Sequence, residues 1–155
     1  MLPLATQPMN AVTAMMPFEQ CNCMALRRAS RRITNFYDDK LAPTGLRTTQ
    51  YSILALLGEH GGVSVNSLAR QLDLDRTTMG KNLRPLERMR YVKVTPSPTD
   101  GRSRMITLTD SGGAALKAAR RLWRRAQAEF ESANGDAVVR ALRSTLANLK
   151  VGSGR

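Results

Sequence analysis

Hydrophobic residues recur at helical spacing in several separate segments of the chain, and this pattern predicts a mainly α-helical protein. The first predicted helix covers residues 18–41 and is closed by Pro43 and Gly45. A second covers residues 48–59 and ends at the glycine pair 61–62. Apolar residues near helical spacing in the first helix are Leu26, Ile33, Tyr37 and Leu41, and the predicted inward positions of the second are Ile53, Leu54 and Leu57.

Two shorter amphipathic helices follow, separated by a tight turn at residues 73–74. Ser64 is the predicted N-cap of the first helix and Asp75 that of the second, because these side chains accept hydrogen bonds from first-turn amides. Two helices joined in this way predict a helix-turn-helix. Their predicted inner faces hold Val65, Leu68, Leu72, Met79, Leu83 and Leu86.

A β-hairpin is predicted directly after the helix-turn-helix, which is the position of a wing. Residues 91–95 and 102–108 have the composition of strands, and the segment 96–101 between them is typical of a turn. Thr109 is the predicted N-cap of a long helix that ends near the Asn-Gly pair 134–135. Its apolar positions are Leu116, Ala119, Trp123, Ala126 and Phe130.

The outer helices carry apolar stripes that a small domain cannot cover from within. The last helix has such a stripe at Val138, Ala141, Leu142, Thr145, Leu146 and Leu149. Packing against a second copy would bury these stripes, so the sequence predicts a homodimer. The predicted fold class is mainly α with a small β-hairpin wing (α+β), a winged helix-turn-helix flanked by N- and C-terminal dimerisation helices. The predicted segments are a flexible arm at 1–17, a dimerisation helix at 18–45, the winged helix lobe at 46–109, dimerisation helices at 110–150 and a tail at 151–155.

The charge balance indicates a polyanionic partner. The chain has 24 Lys and Arg against 12 Asp and Glu, a net charge of +12. Such a surplus repels itself unless a polyanion neutralises it, and nucleic acid is the commonest such partner, ahead of a membrane surface. The sequence lacks an apolar run as long as a bilayer span, and residues 1–17 lack the features of a secretion signal. We therefore expect a cytoplasmic protein with no membrane partner.

The order and spacing of five short segments resemble those of the MarR family of transcriptional regulators. The segments are Leu68-Ala-Arg-Gln-Leu72, Leu74-Asp-Arg-Thr-Thr-Met79, Leu86-Glu-Arg-Met-Arg-Tyr-Val92, Asp100-Gly-Arg102 and Leu108-Thr-Asp-Ser-Gly112. The resemblance covers roughly residues 20–150. It implies a two-fold dimer on double-stranded DNA with a palindromic operator, the second helix of the helix-turn-helix in the major groove and the wing at the adjacent minor groove. Repression is the family's usual mode of regulation.

The outward side of this second helix holds residue types that bind bases and phosphates. Arginine favours guanine, asparagine favours adenine, and threonine methyl groups contact thymine, chiefly from the first turns of a recognition helix. A solvated polar face on a structural helix is the alternative interpretation. The candidates are Arg76, Thr77, Thr78, Lys81 and Asn82 for bases, with Arg84 and Arg88 further along for phosphates.

By resemblance, the wing carries an Asp-x-Arg pattern at Asp100 and Arg102. In the family the aspartate orients the wing-tip arginine, which enters the minor groove. Members often have an arginine between these two positions, where this chain has Gly101, so Arg104 is a further candidate contact. Arg102 and Arg104 share strand parity with Ile106, so their direction depends on where the strand leaves the core.

Eight of the arginines outside these predicted DNA contacts form i,i+4 pairs of like charge that each cost about 0.2–0.5 kcal/mol. One interpretation is exposure to solvent, or pairing with Asp38, Asp39, Glu129 and Glu131. The other is a site for a small anionic aromatic molecule or an acyl-CoA, of the kind that family members bind between the dimer helices and the DNA-binding lobe. The eight are Arg27, Arg28, Arg31, Arg32, Arg120, Arg121, Arg124 and Arg125. The candidate effector residues are Arg27, Arg31 and Arg124 with Phe36, Tyr37, Tyr51 and Trp123, although such aromatics are more often plain core.

Cys21 and Cys23 lie near the predicted start of the first helix. Some relatives of the MarR family sense oxidants through a cysteine in that region, so a thiol-based redox-sensing repressor is one alternative. The other is a pair of small apolar residues at a dimer seam. With His60 they form a set one ligand short of a structural zinc site, so we expect no metal and no cofactor.

Other function classes find less support. A single histidine and the lack of a phosphate-binding glycine loop or a Ser-His-Asp set indicate that the chain is not an enzyme. A basic RNA-binding module would fit the charge, but aromatic residues make up only 5% of the chain, and single-strand readers need them for stacking. An adaptor protein would bind no duplex at all.

Overall fold

The computed structural model describes residues 20–100 and 103–151. Within these ranges the elements are α1 (Asn22–Leu41), α2 (Thr48–His60), β1 (Val63–Ser64), α3 (Val65–Gln71), α4 (Arg76–Arg88), β2 (Val92–Pro96), β3 (Arg104–Leu108), α5 (Asp110–Asn134) and α6 (Asp136–Ala147). The chain divides into two compact units, one ending at Thr34 and one beginning at Asn35. This order of elements confirms the predicted mainly α fold with a winged helix-turn-helix.

The three predicted N-caps are all present. The Ser64 hydroxyl accepts a hydrogen bond from the amide of Ser67 at 3.1 Å, and the Asp75 carboxylate accepts one from the amide of Thr78 at 2.9 Å. At the start of α5, the Thr109 hydroxyl accepts from the third amide of the helix at 3.0 Å. The side chains that mark these starts in the sequence therefore also hold them in the structure.

The first helix and the sheet differ in detail from the prediction. α1 begins at Asn22 rather than at residue 18, because its first backbone hydrogen bond is accepted by the Cys21 carbonyl; residues 18–19 lie outside the described range. The wing is part of a three-stranded sheet, in which β1 pairs antiparallel with β3 and the order is β1-β3-β2. A strand of two residues is too short to leave a periodic pattern, so the sequence predicted only the hairpin.

The bounds of the two hairpin strands also differ from the prediction. β2 begins at Val92 and extends to Pro96, one residue later than predicted at each end. β2 starts after Arg90, whose φ of 58° is not that of a strand, and the Tyr91 carbonyl still accepts a hydrogen bond from the Thr109 amide in the register of the hairpin. β3 begins at Arg104, and residues 101–102, where the prediction placed its start, lie outside the described ranges.

The core of the second unit contains the positions predicted to point inward on α2, α3 and α4. The apolar residues that are fully or almost fully buried are Leu41, Leu46, Ile53, Leu54, Leu57, Leu68, Met79, Leu86 and Ile106. α5 adds Leu116 and Ala119, which are also buried. This shared core fixes the recognition helix against the rest of its lobe.

Apolar residues of the outer helices lie on the surface of the single chain, among them Leu26 of α1 at 42% exposure and the predicted stripe of the last helix. Val138, Leu142, Leu146 and Leu149 are exposed by 60%, 43%, 46% and 50%, whereas Val139 is buried. The predicted arm at 1–17 and residues 152–155 of the predicted tail lie outside the described residues. A search of the described helices finds none with the length and apolar character to cross a membrane.

Asp38 ties the end of α1 to the start of α2. One of its carboxylate oxygens accepts hydrogen bonds from the amide and the hydroxyl of Thr48, both at 2.7 Å, and the other accepts one from the Arg47 guanidinium at 3.1 Å. Burial alone would raise the pKa of this carboxyl, but these bonds together hold its pKa below the ordinary value. The charged form of Asp38 is therefore the one that stabilises the fold.

We expect Asp38→Ala to lower the free energy of unfolding by about 1–3 kcal/mol at pH 7, because three donors lose their acceptor. A carboxyl whose pKa is lowered by folding contributes its stability above the unfolded pKa of about 4 and loses it as the pH falls through the folded value. Urea unfolding should therefore show a difference in the free energy of unfolding between the parent protein and Asp38→Ala that is smaller near pH 3 than at neutral pH. Asp39→Ala, at the exposed neighbouring position, is the control.

Candidate nucleic-acid interface

The recognition helix α4 presents a cationic face opposite its buried side. Met79, Leu83 and Leu86 point into the core. Five of the seven candidate contacts on this helix are exposed, as predicted. They are Arg76, Thr77, Lys81, Arg84 and Arg88.

The other two candidates, Thr78 and Asn82, are half-buried and bonded within the helix. The Thr78 hydroxyl donates to the Asp75 carboxylate at 2.6 Å, and the Asn82 amide donates to the Thr78 carbonyl at 2.9 Å. The hydroxyl and amide of Thr78 hold the pKa of Asp75 below its ordinary value. Both side chains therefore stabilise the first turns of α4 and must give up these bonds to reach a base.

The second half of α4 has a groove of about 670 Å³ lined by Arg84, Glu87 and Arg88. Its lining has two guanidinium groups and one carboxylate, so the groove has a net positive charge. Guanidinium groups bind phosphate through paired N–H donors. This part of the helix is suited to a phosphate rather than to a base edge.

The wing is closed by backbone hydrogen bonds on both sides of its turn. The Ser97 amide donates to the Ser103 carbonyl at 2.8 Å, and the Ser103 amide donates to the Asp100 carbonyl at 2.9 Å. Asp100 and Arg104 are exposed while Ile106 is buried, so β3 leaves the core between residues 104 and 106. The candidate Arg102, with Gly101, lies outside the described residues.

Two exposed cations between the recognition helix and the wing tip were not among the contacts predicted from the sequence. Arg90 follows the end of α4, and Lys93 lies on β2 opposite Thr107. The Arg-x-Arg-x-x-Lys spacing from residue 88 to residue 93 was the available signal. Both residues extend the cationic surface from α4 toward the wing.

Gly80 lies within α4, and nothing lies within 4 Å of the position that a Cβ atom would take. A close approach to a neighbouring helix is therefore not the reason for this glycine. We expect Gly80→Ala to raise the free energy of unfolding by about 1 kcal/mol through helix propensity alone. Urea unfolding measures this gain. Unchanged affinity for duplex DNA would show that Gly80 is merely tolerated, and a weakened affinity would show that it admits the DNA.

A cavity of about 670 Å³ lies beside the lobe core in the second unit, within the size range of small-molecule sites. The rings of Tyr51 and Trp123 stack against each other at 5.7 Å. Burial raises the pKa of Tyr51, against the opposing effect of Arg120 and Arg124. The lining residues are Tyr51, Ser52, Ala55, Leu56, Gly58, Glu59, Gln71, Leu72, Arg120, Trp123 and Arg124.

The structure thus brings together three of the seven candidate effector residues, Tyr51, Trp123 and Arg124. The rings of Phe36 and Tyr37 form a separate edge-to-face pair, in which the Tyr37 hydroxyl donates to the Gln127 side chain. Arg27 and Arg31 line a groove of about 400 Å³ along α1 with Leu26 and Ser30. Arg120 was missed as a cavity residue, although its i,i+4 spacing to Arg124 was the signal.

The eight arginines outside the interface are not paired with the acids that were considered for them. Among the described residues, the ion pairs are Lys40–Glu129 at 2.5 Å, Arg47–Asp38 at 3.1 Å and Arg143–Glu131 at 3.2 Å. The interpretation that the eight arginines pair with these acids is therefore wrong, because Glu129, Asp38 and Glu131 pair with Lys40, Arg47 and Arg143 instead. Arg120 and Arg124 instead face the cavity.

The two cysteines lie at the start of α1, as predicted. Cys21 is partly buried and Cys23 is exposed in the single chain, and both are free thiols. His60 is exposed at the end of α2. A search of the described residues finds no group of three side chains that could hold a metal ion.

Comparison with known proteins returns transcriptional regulators. A sequence model of the MarR family matches residues 44–103. The organic hydroperoxide resistance transcriptional regulator of Bacillus subtilis is 33% identical over 97 residues, which are 63% of this chain and 66% of that relative. The match therefore spans just under two thirds of the relative's length.

Two solved structures cover more of the chain. The transcriptional regulator MosR of M. tuberculosis is 35% identical, covers 84% of this chain and 93% of its own, and superposes with a TM-score of 0.74. The transcriptional repressor CouR, solved bound to a 23-mer DNA duplex, is 31% identical, covers 86% and 94%, and has a TM-score of 0.76. CouR has also been solved bound to p-coumaroyl-CoA.

Proposed function

This chain belongs to the MarR family of transcriptional regulators, and from that premise we propose that it regulates transcription by binding duplex DNA sequence-specifically as a homodimer. The observation that carries the proposal is the exposed cationic face of α4, capped at its first turn by Asp75 and followed by a wing that exposes Arg104. Two such faces related by a two-fold axis would contact half-sites about 34–36 Å apart, which predicts a palindromic operator. Such a protein acts in the cytoplasm, where the chromosome lies.

In this proposal the exposed residues of α4 divide by position. Arg76, Thr77 and Lys81 in the first turns contact base edges, and Thr78 and Asn82 join them after giving up their bonds within the helix. The remaining contacts are to phosphates and the minor groove. They are Arg84 and Arg88 on α4, and Arg102 and Arg104 with the orienting Asp100 in the wing.

Substitution of Arg76 tests the base-reading role. We expect Arg76→Ala to lose about 1–3 kcal/mol of binding to a duplex that the protein selects from a random pool, with a much smaller loss on a shuffled duplex. Arg102→Ala should lower the slope of log affinity against log salt by about one unit. Fluorescence anisotropy over a range of salt concentrations measures both. Equal losses of Arg76→Ala on the two duplexes would exclude base readout by Arg76.

The cavity beside Tyr51 and Trp123 supports a small-molecule effector that releases a repressor from its operator. A stacked aromatic pair with two arginines at its rim suits an anionic aromatic molecule or an aromatic acyl-CoA. The similarity to CouR agrees with this class of ligand. Calorimetry with aromatic carboxylates and their CoA thioesters tests it: we expect binding that Arg124→Gln weakens and Arg121→Gln, outside the cavity, does not. Absence of binding from the whole panel would contradict it.

A thiol-based sensor on the same scaffold is the second candidate, and the exposure of Cys23 favours it. The B. subtilis relative is named for organic hydroperoxide resistance. Duplex binding measured before and after mild peroxide tests this function. Loss of affinity that dithiothreitol restores, and that the Cys21→Ser and Cys23→Ser double variant does not show, would establish it. Unchanged affinity would leave the thiols structural.

A further inference from the structure

The turn between the recognition helix and the wing has an unfavourable backbone conformation. Arg90 has a φ of 58°, in the left-handed region that residues with a Cβ atom adopt reluctantly. Its amide bonds to the Glu87 carbonyl at 2.9 Å, and the next amide, of Tyr91, bonds to the Leu86 carbonyl at 2.9 Å. These two bonds close the C-terminus of α4 around a left-handed residue, at a position that glycine usually takes.

The start of α5 adds further hydrogen bonds to this turn. The Ser111 hydroxyl donates to the Arg90 carbonyl at 2.8 Å, and the Thr109 hydroxyl donates to the same carbonyl at 2.6 Å. The Thr109 amide donates to the neighbouring Tyr91 carbonyl at 3.1 Å. Two consecutive carbonyls of the turn are thus bound by one helix terminus.

Gly112 shows how closely the two backbones approach. A Cβ atom at this position would lie 2.0 Å from the Tyr91 carbonyl oxygen, so only glycine fits. The contact between the start of α5 and this turn is therefore made by main chain and two hydroxyl groups. Side-chain packing alone would leave more freedom between them.

We propose that the hydroxyl groups of Thr109 and Ser111 position the DNA-binding surfaces, by fixing the angle between α4 and the wing through the Arg90 carbonyl. The inference rests on the proposed function, in which α4 and the wing enter adjacent grooves at the same time. Affinity for a specific duplex then depends on that angle, whereas non-specific attraction to phosphates depends mainly on charge. Thr109 and Ser111 are positioning residues that need not touch DNA.

Ser111→Ala is the first test, because Ser111 is exposed and the Thr109 cap of α5 remains in place. We expect a roughly tenfold loss of affinity for a duplex that the parent protein selects from a random pool, and no loss on a shuffled duplex. Ser111→Thr keeps a hydroxyl and should restore binding. Ser132→Ala, at an exposed serine near the other end of α5, is the control and should bind as the parent does.

Two substitutions of Arg90 test the backbone itself. Arg90→Asn and Arg90→Val both remove the guanidinium group, but asparagine tolerates the left-handed region and β-branched valine does not. We expect the valine variant to bind the selected duplex roughly tenfold more weakly than the asparagine variant. The two should bind the shuffled duplex equally.

The outcomes separate the two proposals. A parent protein that selects no duplex overturns the proposed function and this inference with it. A selective parent whose Ser111→Ala variant binds normally, and whose Arg90→Asn and Arg90→Val variants bind alike, overturns the inference alone. Equal losses on the selected and shuffled duplexes also overturn it, since they would show general destabilisation.

Discussion

Replacement of Gly112 by alanine should destabilise the protein by about 3 kcal/mol, whereas the same change at Gly113 should stabilise it by up to about 1 kcal/mol. At position 112 the new methyl group would lie 2.0 Å from the Tyr91 carbonyl oxygen and 2.9 Å from a methyl group of Leu108. At position 113 nothing lies within 4 Å of it. The backbone atoms at Tyr91 cannot rotate away, so α5 must move.

Urea unfolding of the two variants measures this contrast under identical conditions. The two glycines are adjacent in the first turn of α5, so each variant is the other's control for helix propensity. Equal stability of Gly112→Ala and Gly113→Ala would contradict the close approach of α5 to the turn before β2. It would also remove one support for the positioning role of the α5 start.

Glutamate at both Leu142 and Leu146 should convert the proposed homodimer into a monomer and abolish specific duplex binding. These leucines are 43% and 46% exposed in the single chain, on the same face of α6 as Val138, and Leu149 beyond the end of the helix is also exposed. Burial of one leucine contributes about 1.5–3 kcal/mol, and a two-fold interface would bury each of them twice. The monomer loses one half-site and with it most of the affinity for an operator.

Sedimentation at micromolar concentration and anisotropy on the selected duplex test this together. The matched control is Ser144→Glu with Ala147→Glu, which adds the same charge to other exposed positions of α6. We expect the control to remain dimeric. A parent protein that is already monomeric, or a leucine variant that stays dimeric, would show that α6 is not the dimer surface.

Local chemistry explains which parts of the fold were predictable. Ser64, Asp75 and Thr109 mark helix starts because a cap acts within three residues of itself, and each of these caps is present. β1 was missed because its existence depends on pairing with Ile106, far along the chain. The left-handed Arg90 was likewise not visible, since glycine or asparagine usually takes this position at the end of a helix.

In the candidate site too, local spacing predicted some features, whereas others depend on contacts that the local sequence does not show. Helical spacing placed Arg76 and Lys81 on the outward face of α4, and both are exposed. Helical spacing could not show that the Asn82 side chain donates a hydrogen bond to a carbonyl of its own helix, because spacing predicts where a residue lies and not which rotamer its side chain adopts. Helical spacing could not show that Tyr51 and Trp123 line one cavity while Phe36 pairs with Tyr37, because only tertiary packing decides which aromatics of α1, α2 and α5 meet.

The most direct test of the account is a titration of the parent protein against two duplexes of equal composition, the one it selects from a random pool and a shuffled one. We predict saturation at two chains per selected duplex and an affinity at least about a thousandfold higher than for the shuffled duplex at physiological salt. Equal affinity for the two duplexes, or saturation at one chain per duplex, would contradict a dimeric sequence-specific regulator.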